Sequence, residues 1–174
     1  MPKYYVMLIN TESYQMITPV KALLNPYNGG QAYCAGMPQF FGGTDDKDQP
    51  VALVLADEIN QESRRTLELT SGSPHYFFTE ENMFFYCATE GQWDHTGTPW
   101  GPAQTANEAE MDRLVTVDLK QFTNNMSDEA IIDNLINQTT HGTVVPQKGR
   151  DDFALSSTRT AFITLIRRYL DGTL

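Results

Sequence analysis

The chain has 174 residues, 40% hydrophobic and 20% charged, with 12 basic against 22 acidic side chains and a formal net charge of −10. That length suits one well-cored domain spanning residues 1–174, and the composition is that of a globular protein. The acidic balance, with no basic run beyond the pairs Arg64-Arg65 and Arg167-Arg168, argues against nucleic-acid backbone as a partner, and no window reaches the ~18 apolar residues of a membrane span.

The opening "MPKYYVMLIN" lacks a long apolar core and a small-residue cleavage site, so it is expected to be a strand and not a leader; a cytoplasmic location follows as the expectation. Lys3 to Ile9 alternates as that strand. Tyr14 to Leu24 reads as a second, with Pro19 suggesting an edge or a bend. "NPYNGG" (Asn25 to Gly30) is a turn signal, and Gln31 to Ala35 reads as a third short strand. Cys34 and Cys87 both fall in predicted strands and show no metal spacing, so buried free thiols are expected.

The stretch Phe40 to Leu69, "FFGGTDDKDQPVALVLADEINQESRRTLEL", predicts a Gly-Gly turn, an acidic loop and a helix of about five turns. Asp48 suits the cap and Pro50 the first helical position. Val51, Leu55 and Ile59 form the core-facing stripe, while Glu58, Gln61 and Glu62 lie on the adjoining face. Glu58 and Glu62, four residues apart, sit one above the other. The helix is expected to end near Leu69.

His75 to Phe78 and Met83 to Ala88 read as two aromatic strands joined in a hairpin. Glu90 to Glu110 is a long loop with two Trp, a length that is usually functional or disordered. Leu114 to Leu119 alternates as a strand. Ser127 caps a helix whose apolar face is Ile131, Ile132, Leu135 and Ile136. Residues 140–152 read as a loop with a short extended piece at Val144-Val145. A last helix over Ser157 to Asp171 buries Phe162, Leu165, Ile166, Tyr169 and Leu170 and stops at Gly172.

This order, with Gly43 ahead of the acidic helix, resembles the Nudix fold. The family signature is Gly-x5-Glu-x7-Arg-Glu-U-x-Glu-Glu-x-Gly-U, with U apolar. Laid from Gly43 on "GTDDKDQPVALVLADEINQESRR", it matches at Gly43, Glu58, Ile59 and Glu62. It departs at the early Glu (Gln49), the Arg (Asp57), one helical Glu (Gln61) and the closing Gly (Arg64). The resemblance implies an α/β (α+β) domain, a Nudix-like α/β/α sandwich around a mixed β-sheet. It implies Glu58 and Glu62 as metal ligands for Mg²⁺ or Mn²⁺ and as catalytic residues, with Gln61 assisting through its carbonyl. Gly42 and Gly43 would shape the phosphate loop, and Arg64 or Arg65 would contact phosphate. The implied activity is hydrolysis of a nucleoside-diphosphate-linked compound. A general base is also needed; Glu108 and Glu110 are candidates by position, and His95 a weaker one.

Bland readings stand beside these. Glu58 and Glu62 are equally a solvated helix face, with Glu62 and Arg65 a surface ion pair. Asp45, Asp46 and Asp48 read as a solvated acidic loop, because the full calcium-loop pattern is absent. Trp93 and Trp100 either stack on a base or pack the loop. With three charged signature positions and its Gly lost, the alternative is a catalytically inactive Nudix-like domain that binds a nucleotide-type ligand or, through its acidic surface, a basic protein partner as a neutralising or regulatory protein.

Overall fold

The structure is a computed structural model and describes residues 1–69, 74–89 and 100–174. In chain order the elements are β1 (Lys3–Asn10), β2 (Gln15–Lys21), β3 (Phe41–Thr44), α1 (Val51–Glu62), β4 (His75–Glu80), β5 (Met83–Ala88), β6 (Met111–Asp118), α2 (Asp128–Thr140), α3 (Gln147–Ala154) and α4 (Ser157–Asp171), with one-turn 3₁₀ segments at Glu108–Glu110 and Leu119–Gln121. Among the described residues no helix is long and apolar enough to cross a membrane.

The strands form one mixed sheet in the order β4-β5-β1-β2-β6, with β3 also paired to β1. β1 is its axis. It lies parallel to β5 and antiparallel to β2 over Leu8–Asn10. Over Lys3–Val6 its antiparallel partner on that side is instead β3. Side-chain alternation along β1 then builds two cores. Val6 and Leu8 pack with Leu55 and Ile59 of α1. Met7 and Ile9 pack with Leu135 of α2, Phe153 of α3 and Phe162 of α4. The result is the expected α/β/α sandwich, α1 on one face and α2–α4 on the other.

Several local expectations give way to tertiary constraints. Gly42 and Gly43 are strand residues, not a turn. Gln31–Ala35 is not a strand: Gln31 makes one isolated bridge, to Leu24, and residues 33–36 form a turn. Cys34 has a φ of +55° and Gly36 one of +76°, and the Cys34 N–H donates to Asp152 Oδ2 at 3.2 Å. Both cysteines are nevertheless buried and free. Pro19 is not on an edge, because β2 pairs with β6 across it, opposite Leu114. It lies where β2 parts from β1, and its carbonyl accepts the Gln39 N–H.

Helix α1 starts with Pro50 itself as the cap, without a side-chain bond, while Asp48 has a φ of +52°. It stops at Glu62, because Arg64 and Arg65 adopt left-handed backbone with φ of +51° and +66°. β6 starts at Met111, earlier than its alternation suggested. The segment read as a loop over 140–152 contains α3, begun by Pro146. A Cβ on Gly149 would lie 2.1 Å from the Ala35 carbonyl oxygen, so α3 packs directly on the 33–36 turn. The hairpin of β4 and β5, the Ser127 cap and the Gly172 stop at φ +72° agree with expectation.

The second core also holds the approach to β3. Phe40, immediately before β3, packs its ring 4.6 Å from that of Phe162 and 5.1 Å from that of Phe85. All three are buried to within 1%. Truncating Phe162 to Ala is expected to cost ~3–5 kcal/mol, read as a lowered urea midpoint at unchanged m; a loss under ~1 kcal/mol would contradict this packing.

Candidate active site

Residues four apart on α1 place Glu58 and Glu62 on one face, and that face lies against β3. The contact is close because β3 has no side chains there. A Cβ on Gly43 would fall 2.6 Å from Glu58 Oε1, and one on Gly42 would fall 2.2 Å from the Tyr4 carbonyl oxygen. The Gly42 N–H donates to Glu62 Oε1 at 2.7 Å. Glu62 is 1% exposed, and its Oε2, also buried, has no hydrogen-bond partner. A solvated helix face is therefore the wrong description of this pair.

Burial of carboxylates without countercharge favours their neutral forms. Desolvation pushes Glu58 up to about 7, helped by the negative charges of Glu110, Asp57 and Asp46. Glu62 is raised well above its ordinary range, first by burial and then by Glu58; the Gly42 N–H and Lys21 oppose the rise. Tyr5, beside them, is pushed up to about 12 by burial and then by Glu62, Glu58 and Glu110. The α1 wall of the site therefore crowds acidic groups that oppose one another's ionisation.

It opens into a cavity of about 640 Å³ whose lining includes Glu58, Gln61, Glu62, Gly42, Gly43 and Glu110. Lys3, Lys21, Lys47 and Tyr5 also line it, with the start of α4 on its wall. Asp57, at the position of the signature's Arg, is on the lining too. The acidic loop is structured by Asp45, whose Oδ1 accepts the Lys47 and Gln49 N–H groups. Among the described residues no three His, Cys, Asp or Glu side chains converge to hold a metal, so any ion here would rely on a carboxylate pair completed by water and substrate oxygens.

The two loop carboxylates separate in role. Glu108 is paired with Arg65 and accepts the Gln104 N–H at 3.1 Å. The Arg65 bond, first, and the Gln104 bond hold its carboxyl below the usual range. Glu108 is not on the cavity lining, and neither are Arg64 and Arg65; Arg65 is engaged with Glu108, not with Glu62. Glu110 is on the lining. Gln61 Oε1 accepts from Asn107 Nδ2 at 3.2 Å, and Asn107 Oδ1 accepts the Tyr27 hydroxyl. Trp100 stacks under Arg64, 4.5 Å from its Cζ. Trp93 and His95 lie outside the described residues.

Tyr5, Lys3 and Lys21 went unread in the sequence. Lys3 and Tyr5 share one face of β1 by the period of two, and Lys21 closes the uncharged run "MITPV" of β2. Those are the signals that could have raised them; only the parting of β1 from β2 brings both strands to one cavity.

No protein-family model and no curated protein sequence matches the chain. Its fold does match solved structures. The MutT protein from Methanosarcina mazei Go1 superposes with a TM-score of 0.50 at 14% identity, over 97% of this chain and 94% of that one. The chain has a Nudix-like fold. A MutT NUDIX hydrolase from Burkholderia pseudomallei aligns over 80% of this chain and 99% of its own, at 13% identity and a TM-score of 0.44. At such identity the likeness covers fold alone.

A pH dependence follows from the raised carboxyls. Between their ordinary value, 4.5, and the higher folded value, the native state holds more protons than the unfolded chain, so stability falls as pH rises. For Glu58 the contribution is fully present below about 4.5 and is lost as pH passes about 7. In chelator, the thermal midpoint of the Nudix-like chain is expected to fall across that window. In Glu58→Gln/Glu62→Gln the fall should be much shallower, and an equal slope in both proteins would contradict the burial of these groups.

Proposed function

We propose that the chain is a divalent-metal-dependent hydrolase of a pyrophosphate bond in a nucleoside diphosphate linked to another group. The observation that carries this reading is Glu62 Oε2, a buried carboxylate oxygen without a protein partner, beside Glu58 on a cavity that three lysines also line. A buried, half-satisfied acid destabilises a fold and fits a site whose remaining partner is a cation.

The donor set fits a hard ion. Glu58 and Glu62 would hold Mg²⁺ or Mn²⁺, which take oxygen ligands and commonly use one or two protein carboxylates with waters and substrate phosphates. Such an ion supplies Lewis-acid polarisation of a phosphoryl oxygen and charge neutralisation. Glu110 is the general base: it takes a proton from the attacking water as the new P–O bond forms and the bridging P–O bond breaks. Lys3, Lys21 and Lys47 offset the charge of the phosphates against the acidic chain. Gly42 and Gly43 leave backbone, not side chains, next to the carboxylates, and Gln61 braces Asn107 at the rim.

Asp57 on the same lining favours a second reading. A carboxylate where the signature has Arg repels Glu58 and the substrate phosphates instead of bracing them, as in a domain that has kept the nucleotide-type site, or an acidic surface for a basic protein, without turnover.

One panel separates the two. With Mg²⁺ or Mn²⁺, the protein is expected to turn over at least one of ADP-ribose, dinucleotides, nucleotide sugars and nucleoside triphosphates. Glu110→Gln should lower kcat by ~10²–10⁴-fold. Glu62→Gln should abolish turnover while leaving thermal stability equal or higher, since Gln can keep the Gly42 bond without a buried charge. Saturable nucleotide binding without turnover across the panel would select the inactive reading.

A further inference from the structure

Where the signature closes on Gly, this chain has Arg64, on the left-handed backbone that Gly adopts without cost and an L-residue does not. Each of its three guanidinium nitrogens donates one hydrogen bond. Nη1 donates to the Gly101 carbonyl at 2.9 Å, Nη2 to Met111 at 2.9 Å, and Nε to Glu108 at 3.3 Å. Its plane lies over Trp100. The three acceptors bracket Glu110: one precedes it by two residues and one follows it directly.

Other bonds complete the grip. The Glu110 carbonyl accepts the Ala22 N–H at 3.0 Å, and its N–H donates to Asn107 at 3.3 Å. Arg65 holds Glu108. Thus the end of α1, which carries Glu62, and the start of β6, which follows Glu110, are joined through one side chain. A planar fork with fixed donors is suited to tying three carbonyls in one arrangement.

We infer that Arg64 is a positioning residue that sets the Glu110 carboxylate against the Glu58–Glu62 pair by docking residues 101–111 on the end of α1. The inference rests on Glu110 acting as base in the hydrolase reading above. It gives the residue at the signature's Gly position a structural role, a side-chain latch carried on left-handed backbone. Arg64 is not itself on the cavity lining and acts only through the segment it holds.

Arg64→Gly is a favourable test because it relieves the backbone while deleting the guanidinium. Amide exchange over residues 101–111 in Arg64→Gly is expected to quicken by at least ~10-fold relative to the native chain, with α2 and α4 unchanged. On the substrate the panel identifies, kcat should fall toward the Glu110→Gln value with KM and Mn²⁺ affinity little changed. The double variant Arg64→Gly/Glu110→Gln should be no slower than Glu110→Gln alone. Arg64→Lys, which keeps the charge but not the fork, should restore neither exchange protection nor kcat, whereas added methylguanidinium should restore part of both in Arg64→Gly.

Unchanged exchange over 101–111, or a double variant that loses the product of the two single effects, would overturn the inference. If the native chain turns over nothing in the panel, the hydrolase reading fails on its own, and the exchange measurement still decides whether Arg64 holds the segment.

Discussion

The approach of α1 to β3 is the contact on which the rest depends. It brings two carboxylates against a strand stripped of side chains at Gly42 and Gly43, where any Cβ would meet backbone or carboxylate. The geometry is held from both sides. Leu55 and Ile59 fasten α1 to Val6 and Leu8 of β1, and Phe40, locked to Phe85 and Phe162, fixes the entry to β3. The apolar packing supplies stability at roughly 1.5–3 kcal/mol per buried large side chain, and part of it offsets the cost of burying Glu62.

That cost explains the electrostatics. A lone buried carboxylate is avoided in protein cores unless paired or ligating, yet here Glu62 is covered and only one of its oxygens is bonded. Lys21 is the cation that favours its ionised form and so opposes the rise of its pKa, to which Glu58 and Glu110 both add. The cavity therefore combines carboxyl groups at its α1 wall with three lysines elsewhere on the lining. In the hydrolase proposed above, that division would face a cation and the phosphates beyond it. Asp57 adds to the negative side without the bracing that the signature's Arg would bring.

At the far end of α1 the chain departs from the signature in sequence: Arg64 stands at its Gly position on left-handed backbone, and its side chain ties the helix end to the segment leading into β6. Arg65 and Glu108, two residues that invite catalytic readings, are engaged in holding that same segment.

By itself the sequence determined the layers, most of the strands, and the placing of Glu58 and Glu62 on one helix face. Period-two alternation in β1, the aromatic run of β5, the Val51, Leu55, Ile59 stripe, the Ser127 cap and the Gly172 stop are local signals whose cause lies within a few residues. Glu58, Glu62 and the glycines were legible because helix spacing and a sequence signature are also local. Tertiary structure decided the remainder. Gly42-Gly43 reads as a turn until the strand that needs its bare backbone is in place. Gln31–Ala35 reads as a strand until α3, 118 residues away at the Cys34–Asp152 bond, makes residues 33–36 a turn. Glu108 and Glu110 are indistinguishable in sequence; a 3₁₀ turn and the bonds of Arg64 and Arg65 send one to an ion pair and the other to the cavity. Tyr5 and Lys21 join the site only because β1 and β2 part, and a pairing between distant segments leaves no periodic trace in either one.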